Sequence, residues 1–247
     1  MSTPRELAAA AERRDRLVPG ATERFSGYGV MSVPFAFGHV LGLRRFPVTS
    51  IGPGYTSVWL RDPDGAWHFH TTVPPEVSCP RYFGSAIESA AVHDIAIDWT
   101  GDHSFTVTIG DDVDLRWDVA LTATPVSRVM SGMAGILPDA FWRSGAFLSM
   151  LGGVAGPALR AGRIGMVGST PNRQRYLAKV LRMWVVASSS ASLGGEDLGA
   201  PRPLREQTRL GDFWMPQRGI FMIGGAHFHP QDAGAHPPTT KAAATGV

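Results

Sequence analysis

Residues 113–122 read Val-Asp-Leu-Arg-Trp-Asp-Val-Ala-Leu-Thr, and no other stretch limits the fold so sharply. Val113, Leu115, Trp117, Val119 and Leu121 share one parity, while Asp114, Arg116 and Asp118 share the other. Side chains on a strand alternate between faces, so this is a strand with one buried and one wet side. Two similar segments precede it. Ala91–Trp99 and His103–Ile109 are joined at Thr100-Gly-Asp102, and Gly110-Asp111 leads into the third. Three strands joined by short turns form an antiparallel meander, the unit of barrels and sandwiches. Upstream, Tyr55–Leu60 and Ala66–Val73 flank Asp62-Pro-Asp-Gly65, a turn signal between β-branched and aromatic runs, and so form a hairpin.

Further segments complete an all-β prediction. Gln174–Ala187 and Arg218–Phe228 read as strands, and Leu193–Pro203 as a loop. Between the meander and the later strands, about 126–160 reads as a helical insertion rich in Gly, Ala and Met. Its helix is expected at 138–151 and should be broken by Gly152-Gly153 and Gly156-Pro157. Thr3, Pro4 and Glu6 open a short N-terminal helix over 4–16 with a capping box. The expected organisation is an arm at 1–20, one barrel domain at 21–229, and a disordered Pro-, Ala- and Thr-rich tail at 230–247. No αβα alternation argues for a Rossmann or TIM architecture.

The 247 residues are 44% apolar and 18% charged, which suits one globular domain with a sizeable core. Cys79 is the one cysteine, so no intrachain disulfide forms, in keeping with a reducing compartment. Arg13, Arg14 and Arg16 stand where an export signal would need an apolar run, so a cytoplasmic chain is expected. Charge is uneven. Residues 84–118 hold eight acids against Arg116, whereas 140–195 hold seven basic residues and no acid. The basic stretch suits an anionic group or an acidic membrane surface, or it neutralises the acidic one across the fold. Nucleic acid is not expected, because no stacking series interleaves the arginines. Self-association into a homo-oligomer stays open.

Candidate chemistry is scattered. Asp98 and His103 flank one turn, where a carboxylate beside an imidazole supports acid–base work, and His39 sits in an apolar run. His68 with His70, and His227 with His229, are His-x-His pairs on predicted strands. Were those strands adjacent, four imidazoles would suit Zn or Fe; otherwise no cofactor is expected. No nucleophile elbow, phosphate loop or dinucleotide fingerprint is present. Cys79 lies close to Arg81 and also reads as an apolar filler. Tryptophans come from nearly every element. Trp59, Trp67, Trp117, Phe141, Trp142 and Trp184 are expected to line a barrel cavity, with the glycine-bracketed helix at its mouth.

Tyr55–Trp67, Asp98–His103 and Leu193–Gly199 together resemble segments of the lipocalin-like (calycin) β-barrel proteins, in the group with carotenoid hydratase-type and tocopherol cyclase-type enzymes. The resemblance implies a barrel over about 30–228 that binds a terpenoid, polyketide or fatty-acyl molecule. It also implies cofactor-independent cyclisation, isomerisation or hydration, of lyase or isomerase type. Two other readings stand beside it: a metal-dependent enzyme using the His-x-His pairs, and a non-catalytic lipid carrier or partner-binding module.

Overall fold

The computed structural model describes residues 2–14, 17, 22–110 and 112–229. The expected tail at 230–247 lies outside them. The N-terminal helix α1 (Pro4–Glu12) starts on the expected capping box, with Thr3 Oγ1 accepting from Glu6 N, and ends before 16. The principal strands are β1 (Glu23–Val30), β2 (Val40–Thr49), β3 (Tyr55–Arg61), β4 (Trp67–Thr71), β5 (Ser89–Val92), β6 (Ile95–Gly101), β7 (Ser104–Ile109), β8 (Leu115–Thr122), β9 (Arg175–Leu193) and β10 (Ile220–Phe228). The hairpin is β3–β4 and the meander is β6–β7–β8, so both locally connected units form as read.

These strands make one sheet in the order β5-β4-β3-β2-β1-β10-β9-β8-β7-β6, antiparallel except for β4 with β5. The edge strands β5 and β6 are consecutive in the chain. Only His93 and Asp94 separate them, so Val92 and Ile95 are at most about 11 Å apart. The sheet therefore curls until its edges approach at one corner, yet no ladder joins them. It is a strongly curled open sheet, not the closed barrel expected.

The face inside the curl is packed over much of its length and open near α1, where Tyr28, Arg45, Thr56, Ile97 and Trp99 line a cavity of about 660 Å³. Leu41, Leu43, Val58 and Leu60 of β2 and β3 share one cluster with Phe105, Val107, Trp117 and Val119 of β7 and β8, although these strands lie far apart in the sheet order. Trp184, Phe221 and Ile223 fill the middle, and α1 inserts Ala8 and Ala11. Only part of the expected barrel centre is vacant: beyond the cavity near α1, interior positions carry bulky side chains that meet across the curl, and Trp117 Nε1 is tied to Ser189 Oγ at 2.8 Å.

The other face of β9 and β10 is covered by three helices, α2 (Pro125–Ile136), α3 (Asp139–Arg143) and α4 (Gly145–Ala158), while Tyr82, Phe83, Leu210 and Met215 pack with the outward residues Tyr55 and Trp59 of β3. The insertion is helical as expected, but not one helix over 138–151. α4 runs through Gly152, Gly153 and Gly156 because two of these glycines serve contact. A Cβ on Gly152 would stand 2.4 Å from Ile164 O, and one on Gly156 2.1 Å from Gly162 O. The helix lies against the 161–166 backbone, and only glycine allows that approach. No helix among the described residues is long and apolar enough to cross a membrane.

Candidate functional site

Between the outer sheet face and the helices lies a cavity of about 550 Å³. That is the size of a small-molecule site. Its floor is set by parity. Phe25, Gly27, Gly29 and Met31 of one face of β1 line it, as do Met222, Gly224 and Ala226 of β10, while Val30, Phe221 and Ile223 join the packed interior. Gly27 and Gly29 leave room where side chains would otherwise project, and a Cβ there would meet Arg45 O or Leu43 O at 1.9 or 2.1 Å. The roof is mostly apolar and flexible, with Met130, Met133, Trp142, Phe147, Met150 and Val154.

Among the described residues, Arg44 is the one charged residue lining this cavity. It is 6% exposed and has no carboxylate partner among the described residues. Nη1 donates to Val30 O at 2.6 Å and Leu43 O at 2.9 Å, and Nη2 donates to Met31 O at 3.1 Å. A guanidinium has five N–H donors, so Nε–H and one Nη2–H have no acceptor among the described residues. The guanidinium lies 4.4 Å from the Trp59 ring centroid, a cation–π contact. Burial lowers the Arg44 pKa to about 10, which leaves the cation intact at neutral pH. A buried cation without a counter-charge costs several kcal/mol. Three carbonyls and the rings of Trp59 and Phe213 offset part of that cost; an anion in the cavity would offset more.

Beside it, Tyr55 Oη and Cys79 Sγ are 3.3 Å apart, both fully buried. Burial raises the Tyr55 hydroxyl well above its ordinary value, and burial raises the Cys79 thiol as well. Both keep their protons at neutral pH and act as donors, not as nucleophiles. Ser57 and Trp59 also face the thiol, without reaching hydrogen-bonding geometry to it. Among the described residues no Asp, Glu, His or Lys lines the cavity, so a bound molecule meets hydrogen-bond donors and no base from them.

A polar knot holds the cysteine segment in place. The short helix Pro80–Phe83 follows Cys79 and contributes Tyr82 and Phe83 to the cavity wall. Glu23 on β1 accepts from Tyr82 Oη at 2.7 Å, Arg81 Nη2 at 2.8 Å and Gln174 Nε2 at 3.0 Å. Burial pushes the Glu23 carboxyl up, but these hydrogen bonds outweigh it and leave the pKa below 4.5. A carboxylate whose pKa is depressed by folding contributes stability above its unfolded pKa and loses it as pH falls through the folded one. The thermal midpoint should therefore drop on acidification below about pH 4.5. In Glu23→Gln that acid slope should be shallower and neutral stability lower, as a melting series over pH 3–7 would show.

Trp59 and Trp142 line this cavity, which lies behind the sheet and not inside the expected barrel, and the other four aromatic candidates do not line it. Trp117 and Trp184 belong to the packed interior, Trp67 is buried against Phe69, and Phe141 is 44% exposed on α3 and meets Phe147 edge-on. The reason is parity: a tryptophan on a strand serves whichever face its position dictates, and much of this sheet is covered on both. The acid–base candidates also lie elsewhere. Asp98 is exposed on β6, His103 is exposed in the β6–β7 turn, and His39 precedes β2 with Nδ1 buried and unpartnered. Burial lowers the His39 pKa.

The His-x-His pairs are not neighbours. His68 and His70 are on β4, His227 is on β10 and His229 just beyond it, and β3, β2 and β1 intervene. His68 Nδ1 and Nε2 instead contact Ser89 Oγ at 2.8 Å and Asp62 Oδ2 at 3.3 Å, and His227 Nδ1 contacts Thr22 Oγ1 at 3.3 Å. His70 is buried with neither ring nitrogen bonded, and burial lowers its pKa to about 4. Among the described residues no three His, Cys, Asp or Glu side chains are grouped to hold a metal ion.

Sequence reasoning missed Arg44 and Tyr55 and read Cys79 as filler. A usable signal was present. Arg44-Arg45 are consecutive on a strand, so they project to opposite faces. Arg45 reaches Glu12 at 2.7 Å on one side, which leaves Arg44 sharing a parity with Val40, Gly42 and Phe46.

No protein-family model matches the chain, and no curated protein matches it. Among solved structures, an acetoacetate decarboxylase from Legionella pneumophila subsp. pneumophila str. Philadelphia 1 is similar over 88% of this chain and 90% of its own, at TM-score 0.42 and 8% identity. A structure described as structural studies of acetoacetate decarboxylase is similar over 86% of this chain and 88% of its own, at TM-score 0.40 and 9% identity. No family is assigned to the chain on these values. Of the lipocalin-like resemblance, the curled, mostly antiparallel sheet stands, without a lipocalin or carotenoid hydratase family behind it.

Proposed function

We propose that this protein binds a lipophilic small molecule with one anionic or strongly polarised oxygen group. The apolar body lies between the outer sheet face and the helices, and the oxygen group meets Arg44. One observation carries this reading: an otherwise apolar cavity holds a single buried cation with two unused donors and no counter-charge. Apolar walls favour a greasy guest, and the guanidinium fixes its orientation.

Tyr55 supports a second reading, an enzyme of lyase or isomerase type. Its protonated hydroxyl and the Cys79 thiol stand beside Arg44, an arrangement that stabilises negative charge developing on a substrate oxygen. With no base in the cavity wall, the proton acceptor would be the substrate itself or water. Carrier and enzyme share the same pocket and differ in turnover.

Extraction of the purified protein followed by mass spectrometry tests the shared claim, together with titration of a fluorescent long-chain fatty acid. Ala178 lines the cavity, so Ala178→Trp should fill it and abolish probe binding. Overpacking of this kind costs about 1–3 kcal/mol, so the variant should stay folded. Wild-type affinity in Ala178→Trp would place the guest elsewhere and remove the proposal.

A further inference from the structure

We infer that the helical roof docks on an anionic lipid bilayer, so that the cavity mouth opens towards the acyl region from which a lipophilic guest would come. Val129, Met133 and Ile136 form an exposed stripe at i, i+4 and i+7 on α2, and Ile136 is 83% exposed. Met150 and Val154 form a second stripe at i and i+4 on α4, and Phe141 is exposed on α3. Met133, Ile136, Met150 and Val154 also line the cavity. The same side chains are thus wall on one side and surface on the other, which defines the mouth. Residues 125–182 carry eight Lys and Arg against one acid, Asp139, which Lys179 engages at 2.5 Å. Arg128, Arg143, Arg160 and Arg163 are all exposed on or beside these helices.

Apolar side chains ringed by arginine suit insertion into the headgroup layer with cations against acidic lipids. A second copy seated on the same patch would bring like charges together, which opposes a symmetric dimer there. This docking stands apart from the identity of the guest, and its test is arranged to fail separately.

Flotation of the full-length protein with vesicles of phosphatidylcholine alone, or with added phosphatidylglycerol, reads docking directly. The protein should float with the anionic vesicles at low salt, remain largely in solution with the neutral ones, and detach as salt is raised. Arg128→Gln and Arg143→Gln should each weaken binding about five-fold. Val129→Asp and Phe141→Asp substitute exposed residues outside the cavity wall and should abolish flotation with an unchanged thermal midpoint. Ala178→Trp should still float, because its filled cavity leaves the roof in place. Absence of flotation, equal flotation with neutral vesicles, or indifference to these substitutions would overturn the inference. A dimer seen by sedimentation in wild type and lost in Val129→Asp would assign the patch to a second copy instead.

Discussion

Arg44→Met should weaken binding of a carboxylate-bearing lipophilic probe by roughly 30-fold to several-thousand-fold and change affinity for its neutral amide by no more than about three-fold. The range follows from the 2–5 kcal/mol lost when one member of a buried, hydrogen-bonded charge pair is removed. The free protein should change little. Losing the donors to Val30 O, Leu43 O and Met31 O costs about 1.5–3 kcal/mol for each strong charge-assisted bond. Against that, a cation buried without a counter-charge is relieved, a gain of several kcal/mol. Terms of similar size and opposite sign leave the melting midpoint within a few degrees. Calorimetric titration with the matched probes decides the matter. Equal losses for acid and amide would mean that Arg44 only shapes the wall, and the oriented guest would be abandoned.

Trp117→Ala should be the most destabilising single change in the packed interior, at about 3–5 kcal/mol. The side chain is fully buried on β8 among residues from both ends of the sheet. Its removal also strands Ser189 Oγ, which accepts from Nε1 and donates to Asp118 O. Total stabilities of domains run at about 5–15 kcal/mol, so a loss of this size threatens folding at 37 °C. Denaturant unfolding would measure it. Trp117→Phe separates packing from the hydrogen bond and should recover more than half of the loss. Whatever fraction folds should bind the fatty-acid probe as wild type does, because Trp117 faces away from the cavity. A stable Trp117→Ala protein that loses probe binding would reverse the assignment of the two faces.

The parts of the fold that were legible in the sequence are those whose partners are close in the chain. The β3–β4 hairpin is announced by Asp62-Pro-Asp-Gly65, where Asp62 Oδ1 accepts from Gly65 and Ala66. The meander is announced by alternation with short turns. β1 was illegible because Gly27 and Gly29 occupy positions where alternation would show large apolar residues. The same glycines admit the close approach of the β2 backbone, so that approach and the missing signal have one cause. Partner choice was illegible too: β1 pairs with β10, Glu23 opposite Phe228, across some 200 residues. Without that pairing nothing tells which parity of β10 faces the helices, or that β4 and β10 hold their histidines apart. The expectation of a greasy site with helices at its mouth stands as a reading of composition, while its position moved from the centre of the curl to its back.

One sheet that is lined on one side and filled on the other is unforgiving of chain length. Deleting a single residue from the middle of β1 or β10 would turn every following side chain over. Met31 or Phe228 would then be turned away from the cavity into the interior, while Val30 would swing out towards the guest. Substitutions at these strands can be absorbed one site at a time, but a one-residue shift exchanges the whole solvent-free side with the receiving side at once. Variation in length is therefore confined to the connections, and the strands that form the pocket floor can diverge only in what they carry.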